Sequence, residues 1–251
     1  MSVLRSEWIK LRTIRMNWVL AIIAIAFPLI VGILTTALQK REDINSSGVV
    51  DLVTGTAIVT ALLLGVIGAS SITGEFGFGT IRPTFAATPR RSRVIVAKGV
   101  ITTLLAVAVE AVVVIVDFVV CSAIASHRDR PVSLDNVTNA TAAMIGVVVF
   151  AGIVSLLGYG LGLLIRNTPA TIAVLLVWPL VIEGLLSSLL GAAGVNHPVK
   201  YMPYQSGIQL ANRNAGIDAE LPSRIPAGLY FGAVTVVLLL LGAALTNHRD
   251  A

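Results

Sequence analysis

Six apolar runs, each about long enough to cross a bilayer as a helix, decide what this chain can fold into. They cover residues 18–38, 49–73, 98–126, 137–165, 170–194 and 225–245. A hydrocarbon core about 30 Å thick takes about 20 helical residues to cross. The composition agrees with that reading. Only 12% of the residues are charged, where a soluble domain carries about 25%, and the mean hydropathy is +0.89. The predicted fold is therefore an all-α membrane protein with six transmembrane helices, forming a single transmembrane domain over residues 1–251. The first run follows a basic segment and is too long for a signal-peptide core, so it is expected to stay as a span.

The net charge of +5 does not point to nucleic acid, because the bases sit beside apolar runs rather than on a soluble face. Arg5, Lys10, Arg12 and Arg15 precede the first run, and Arg82, Arg90, Arg91, Arg93 and Lys98 follow the second. Between those runs lie only Lys40 and Arg41. Bases concentrate on the cytoplasmic side of membrane proteins. Both termini and the 74–97 loop are thus expected to be cytoplasmic, in a protein of the plasma (inner) membrane, with 195–224 as an external loop. Residues 2–16 place Leu4, Trp8 and Leu11 on one helical face with Arg5 and Arg12 to its side. Such a segment can lie in the headgroup layer as an interface helix, Trp8 at the boundary and Arg12 toward phosphate.

Several chemistries find no footing. There is no phosphate-binding glycine loop, no His-Glu-x-x-His and no cysteine pair, so the chain is expected to be no enzyme and to hold no metal or cofactor itself. The lone Cys121 lies in an apolar run, and His127, His197 and His248 are scattered through polar segments. Asn45, Asn136 and Asn139 each begin an N-x-[ST] triplet, a pattern too common by chance to carry weight. Gly158-x-x-x-Gly162 lets helix backbones approach closely, whether within the chain or in a dimer.

Two groups of residues stand out. The first is the stretch GEFGFGTIRPTFAATPRRSRVIVAK from Gly74 to Lys98, the long polar break in the first half. A simple return to the membrane needs only a few residues; this segment carries aromatics, an acid and a basic cluster. The second is the set of carboxyl residues inside spans. Glu110 and Asp117 are seven apart and share a helical face, and Glu183 closely follows Pro179. Charge in lipid is costly, so these residues either line a translocation path or are polar groups satisfied by hydrogen bonds and headgroup water.

The run ITGEFGFGTIRPTFAATPRRSRVIVAK, together with SEWIKLRTIRMNW near the N-terminus, resembles bacterial ABC-2 type transporter permeases, most strongly over residues 2–18 and 70–100. Those proteins are membrane subunits of roughly six helices that pair with a separate ATPase. The resemblance implies that the first cytoplasmic loop carries a coupling helix, with Glu75, Phe76, Thr80, Ile81 and Arg82 at or near the ATPase contact. Arg90, Arg91 and Arg93 would then anchor the loop at membrane lipid. It also implies that ATP and Mg bind the partner, that a second copy of this or a similar permease completes a dimer, and that Glu183 lies near an external gate. Six spans leave no room for a large substrate domain, which suits export of a hydrophobic, lipid-like or peptide cargo. Two alternatives stand beside this one: a proton-coupled secondary transporter using Glu110, Asp117 and Glu183, and a membrane anchor for a soluble partner.

Overall fold

The computed structural model describes residues 9, 13, 15–79, 91–217 and 223–249, except for the side chains of 91, 92 and 247–249. Among these residues all regular structure is helical. Four long helices come first: α1 (Arg15–Leu38), α2 (Ser46–Gly77), α3 (Arg91–His127) and α4 (Ala140–Ile165). The fifth span joins α5 (Thr168–Val177), a π turn (Trp178–Ile182) and α6 (Glu183–Ala192). After the short α7 (Pro203–Ile208), α8 (Arg224–Arg249) is the sixth. Each of the six is long and apolar enough to cross a membrane, and helices can do so because they satisfy their own backbone polar groups.

Local chemistry sets several ends. The Asn45 side chain accepts from the Gly48 amide at 2.7 Å, so this residue of an N-x-S triplet is the N-cap of α2. Arg166 ends α4 in the left-handed region (φ 57°) with its amide bonded to the Gly162 carbonyl. Asn167 then caps α5, whose first turn holds Pro169. In the fifth span, Pro179 follows Trp178, and the Glu183 amide reaches back five residues to the Trp178 carbonyl.

The helices assemble around one pair. α2 and α4 form the centre; α1 and α3 pack on α2, α8 packs on α4, and α5 touches both central helices. Small residues let the central backbones close on each other. A Cβ on Gly68 would collide with the Ser155 carbonyl, and one on Gly158 with the Gly65 carbonyl. One on Gly162 would lie 2.6 Å from the Ile72 Cγ2. The Gly158-x-x-x-Gly162 pattern therefore serves a contact within the chain. Near the middle of α4, Phe150, Tyr204 and Phe231 meet with ring centroids 5.2–5.8 Å apart, fastening α4, α7 and α8 together.

Polar groups lash the helix ends where α1 and α3 finish and α2 begins. Arg128 donates to the Thr36 and Gln39 carbonyls, both at 2.8 Å, covering the last turn of α1. Arg213 forms a forked pair with Asp51 at 2.7 and 3.1 Å, a hydrogen-bonded arrangement that holds its guanidinium above the ordinary arginine range. Arg41 pairs with Asp129.

Most boundaries fall within three residues of expectation, and the larger differences flank the 78–90 segment. α2 continues past Thr73 to Gly77, and α3 begins at Arg91 rather than Lys98. A charged residue marks the edge of a span by hydropathy, yet Glu75 and Lys98 pair with each other and the helices run on through them. The 195–224 stretch is no plain loop either: α7 folds inward, burying Tyr204, Ser206 and Gly207.

Replacing Gly158 by Ala should therefore destabilise the protein by about 1–3 kcal/mol, the usual cost of overpacking. Gly55→Ala, where the added Cβ meets nothing within 4 Å, should stabilise α2 by up to about 1 kcal/mol. Thermal unfolding in detergent, followed by size-exclusion fluorescence, measures both.

Candidate coupling platform and buried carboxyl groups

The last turn of α2 is where the first candidate site is built. Lys98 on α3 places its Nζ 3.0 Å from the Glu75 Oε1, with the two side chains only 4% and 11% exposed. Paired, each offsets the other's desolvation; removing one partner of such a pair typically costs about 3–5 kcal/mol. One residue on, the Phe76 ring lies beneath the Arg166 guanidinium, 4.6 Å from Cζ to ring centroid, a cation–π contact. Thr168 and Thr73 hydrogen-bond at 2.8 Å through their hydroxyls. The end of α2, the start of α3 and the α4–α5 turn are thus fastened into one block. Just beyond it Phe78 is 87% exposed, and Gly79 takes the left-handed conformation (φ 67°).

Glu75 and Phe76 were expected within the 74–97 loop and instead lie in the last turn of α2. Neither projects from a loop: both belong to α2 and are held by partners in the same chain. Thr80, Ile81, Arg82 and Arg90 lie outside the described residues, as do Trp8 and Arg12 and most of the 2–16 interface helix. Arg91 opens α3, with its side chain outside the description, and Arg93 is exposed in the first turn. The partners Lys98 and Arg166 were not identifiable in advance, because no periodicity links residues across a loop.

The three carboxyl residues within spans are all fully buried, but they sit in different surroundings. Glu183 is saturated. It accepts from the Trp178 Nε1 at 3.0 Å and from the backbone amides of Tyr204 at 2.9 Å and Gln205 at 2.8 Å. Its carboxylate closes the first turn of α7 and ties that helix to the fifth span. Asp117 is partly satisfied, accepting from Thr56 at 3.3 Å and from the Cys121 thiol at 3.6 Å. It fits against α1 because Gly32 lacks the Cβ that would strike it. Neither oxygen of Glu110 has a hydrogen-bond partner among the described residues. Of the three, it alone has nothing there to offset the cost of burial. The three do not form a cluster: Glu110 and Asp117 stand about 10 Å apart along α3 at 1.5 Å per residue, and Glu183 is engaged with α7. No group of His, Cys, Asp and Glu able to hold a metal ion occurs among the described residues.

Six membrane-length helices in one bundle define a multi-pass membrane protein. Residues 3–190 match the family model described as ABC-2 family transporter protein, well over half of the chain, and the chain belongs to that family. It is accordingly a permease subunit of an ABC transporter, a non-catalytic component that works with an ATPase partner. No curated protein matches it.

Two outcomes follow from these surroundings. Glu110→Met, which removes an unpartnered polar group at similar volume, should raise stability by about 1–3 kcal/mol. If the stabilised variant loses transport, Glu110 belongs to the path; if transport is unchanged, it does not. Glu183→Ala should speed hydrogen exchange at the Tyr204 and Gln205 amides by at least about tenfold, matching loss of a charge-assisted hydrogen bond of about 1.5–3 kcal/mol. Exchange mass spectrometry reads this directly.

Proposed function

We propose that this chain is the permease of an ATP-driven exporter, working as a dimer with two copies of a separate ATPase that binds ATP and Mg. The observation that carries the reading is the block at the end of α2. Force applied to the 78–90 segment has a rigid route into the bundle: the Glu75–Lys98 pair passes it to α3, and the Phe76–Arg166 contact passes it to the α4–α5 turn. α2 itself is the most buried span, 72% of its most apolar window against 11% for the fifth span. Movement at its end therefore has to move its neighbours. Phe78, exposed beside the block, supplies an apolar knob for the ATPase, with Thr80, Ile81 and Arg82 following it.

In this reading both termini and the 78–90 segment are cytoplasmic in the inner membrane. Trp8, Arg12, Arg90, Arg91 and Arg93 hold the cytoplasmic edge at lipid headgroups. The lashed end, with α7, Arg128 and the Arg213–Asp51 pair, faces outside. Closure of the ATPase dimer on ATP would push the α2 ends and switch the pathway between inward-open and outward-open states, moving a hydrophobic, lipid-like or peptide cargo. The proton-relay alternative has less support, because its carboxyl groups are separated and Glu183 is engaged with three donors.

Purification from the native membrane in mild detergent should recover a soluble protein with a phosphate-binding glycine loop, in equal amount. Phe78→Ala with Arg82→Ala should abolish that recovery. Lys98→Met with Glu75→Gln should leave the ATPase bound but reduce transport per ATP hydrolysed. A chain that purifies alone and moves solute with a proton gradient would overturn the reading.

A further inference from the structure

A crevice of about 350 Å³ lies between the fifth and sixth spans. Leu157 and Leu161 of α4 form its floor. Val174 and Trp178 line one wall, Val234 and Leu238 the other, and Pro203 and Tyr204 of α7 close one end. It exists because the fifth and sixth spans barely touch each other, the fifth leaning on α2 and α4 and the sixth on α4. Glu183 is the one ionisable carboxyl group in the lining, and its oxygens are already taken by Trp178 and by the amides of Tyr204 and Gln205. Nothing else in the wall is charged.

Two physical limits narrow what can occupy such a space. Ordered water needs two to four polar partners, and this wall offers one, the unpartnered hydroxyl of Tyr204. A charged or strongly polar solute would meet no compensating group beyond that hydroxyl. A thin, flexible apolar chain meets both limits. The walls are membrane-spanning helices, and Val174 and Trp178 are partly exposed at the rim (39% and 46%), so the crevice opens sideways into the hydrocarbon that surrounds the protein. We infer that this crevice is a binding site for one acyl chain of a membrane lipid, wedged between the fifth and sixth spans and capped by α7. The volume falls within the range of about 300–1,000 Å³ typical of small-molecule sites. The inference does not depend on the identity of the cargo or on the ATPase.

The test uses the full chain purified in detergent and carried through exhaustive delipidation. Native mass spectrometry should retain about one phospholipid per chain. Val174→Phe and Val234→Phe, which fill the crevice from opposite walls, should each lower that occupancy at least tenfold while leaving the thermal unfolding temperature unchanged or raised. A second readout removes the other tryptophans (Trp8→Phe and Trp18→Phe) and titrates a brominated fatty alcohol at near-equimolar amounts. Quenching of Trp178 should saturate, and the saturable phase should vanish in the filled variants. Two results would overturn the proposal: filled variants that keep the same lipid as the parent, or variants that lose self-association while lipid occupancy is unchanged, which would assign the crevice to a partner's side chains. Should one filled variant fail to fold, the other wall and the quenching of the parent chain still decide the matter.

Discussion

Backbone-to-backbone contact between α2 and α4 is the constraint on which the rest of this bundle depends. In lipid there is little hydrophobic gain from bringing two helices together, so close packing and polar contacts supply the association. Gly65, Gly68, Gly158 and Gly162 remove the side chains that would hold these helices apart. The surface that results is wide enough to seat α1 and α3 on one side and α8 on the other. Without the central pair, the outer helices would have only one another and lipid to meet.

That arrangement gives the buried polar groups their meaning. Thr60 reaches across to the Ala24 carbonyl at 3.1 Å, Tyr159 to the Ile95 carbonyl at 2.9 Å, and Asp117 sits in the notch left by Gly32. Each joins a peripheral helix to its neighbour at a set depth. Carboxyl groups within spans invite a transport role, yet Glu183 shows how one can be wholly occupied with architecture, its oxygens holding α7 in place. Glu110 is the contrasting case, since the described structure gives it no structural employment.

Much of the fold was legible from the sequence, for a physical reason: apolar runs near twenty residues have few ways to fold other than as spans. The ends were less legible. Hydropathy marks Glu75 and Lys98 as polar, and nothing local reveals that they meet in space and allow two helices to continue. The same limit hid the Phe76–Arg166 contact and the pairing of Glu75 within the chain. α7 escaped notice because Pro198, Pro203 and Pro222 give its surroundings the look of a loop, while the burial of Tyr204 depends on rings contributed by α4 and α8. Residues such as Gly158 and Asn45 could be singled out by pattern, but only the assembled neighbours decide between a helix cap and a modification site, or between an internal seam and a dimer.

The π turn at Trp178–Ile182 acts on the fifth span as a change of phase. An α-helix advances about 100° per residue, and a single wide turn shifts everything after it relative to everything before, as one inserted residue would. α5 and α6 thereby present faces that a continuous helix could not offer together: Leu175 points into the bundle below the turn and Glu183 above it. Loss of one residue from this turn would leave length, composition and hydropathy almost untouched while rotating the Glu183 carboxyl away from α7. For this span, sequence length is an angular setting as much as a distance, and chains that differ there by a single insertion are expected to differ in which residues face inward over the whole of the half that follows the turn.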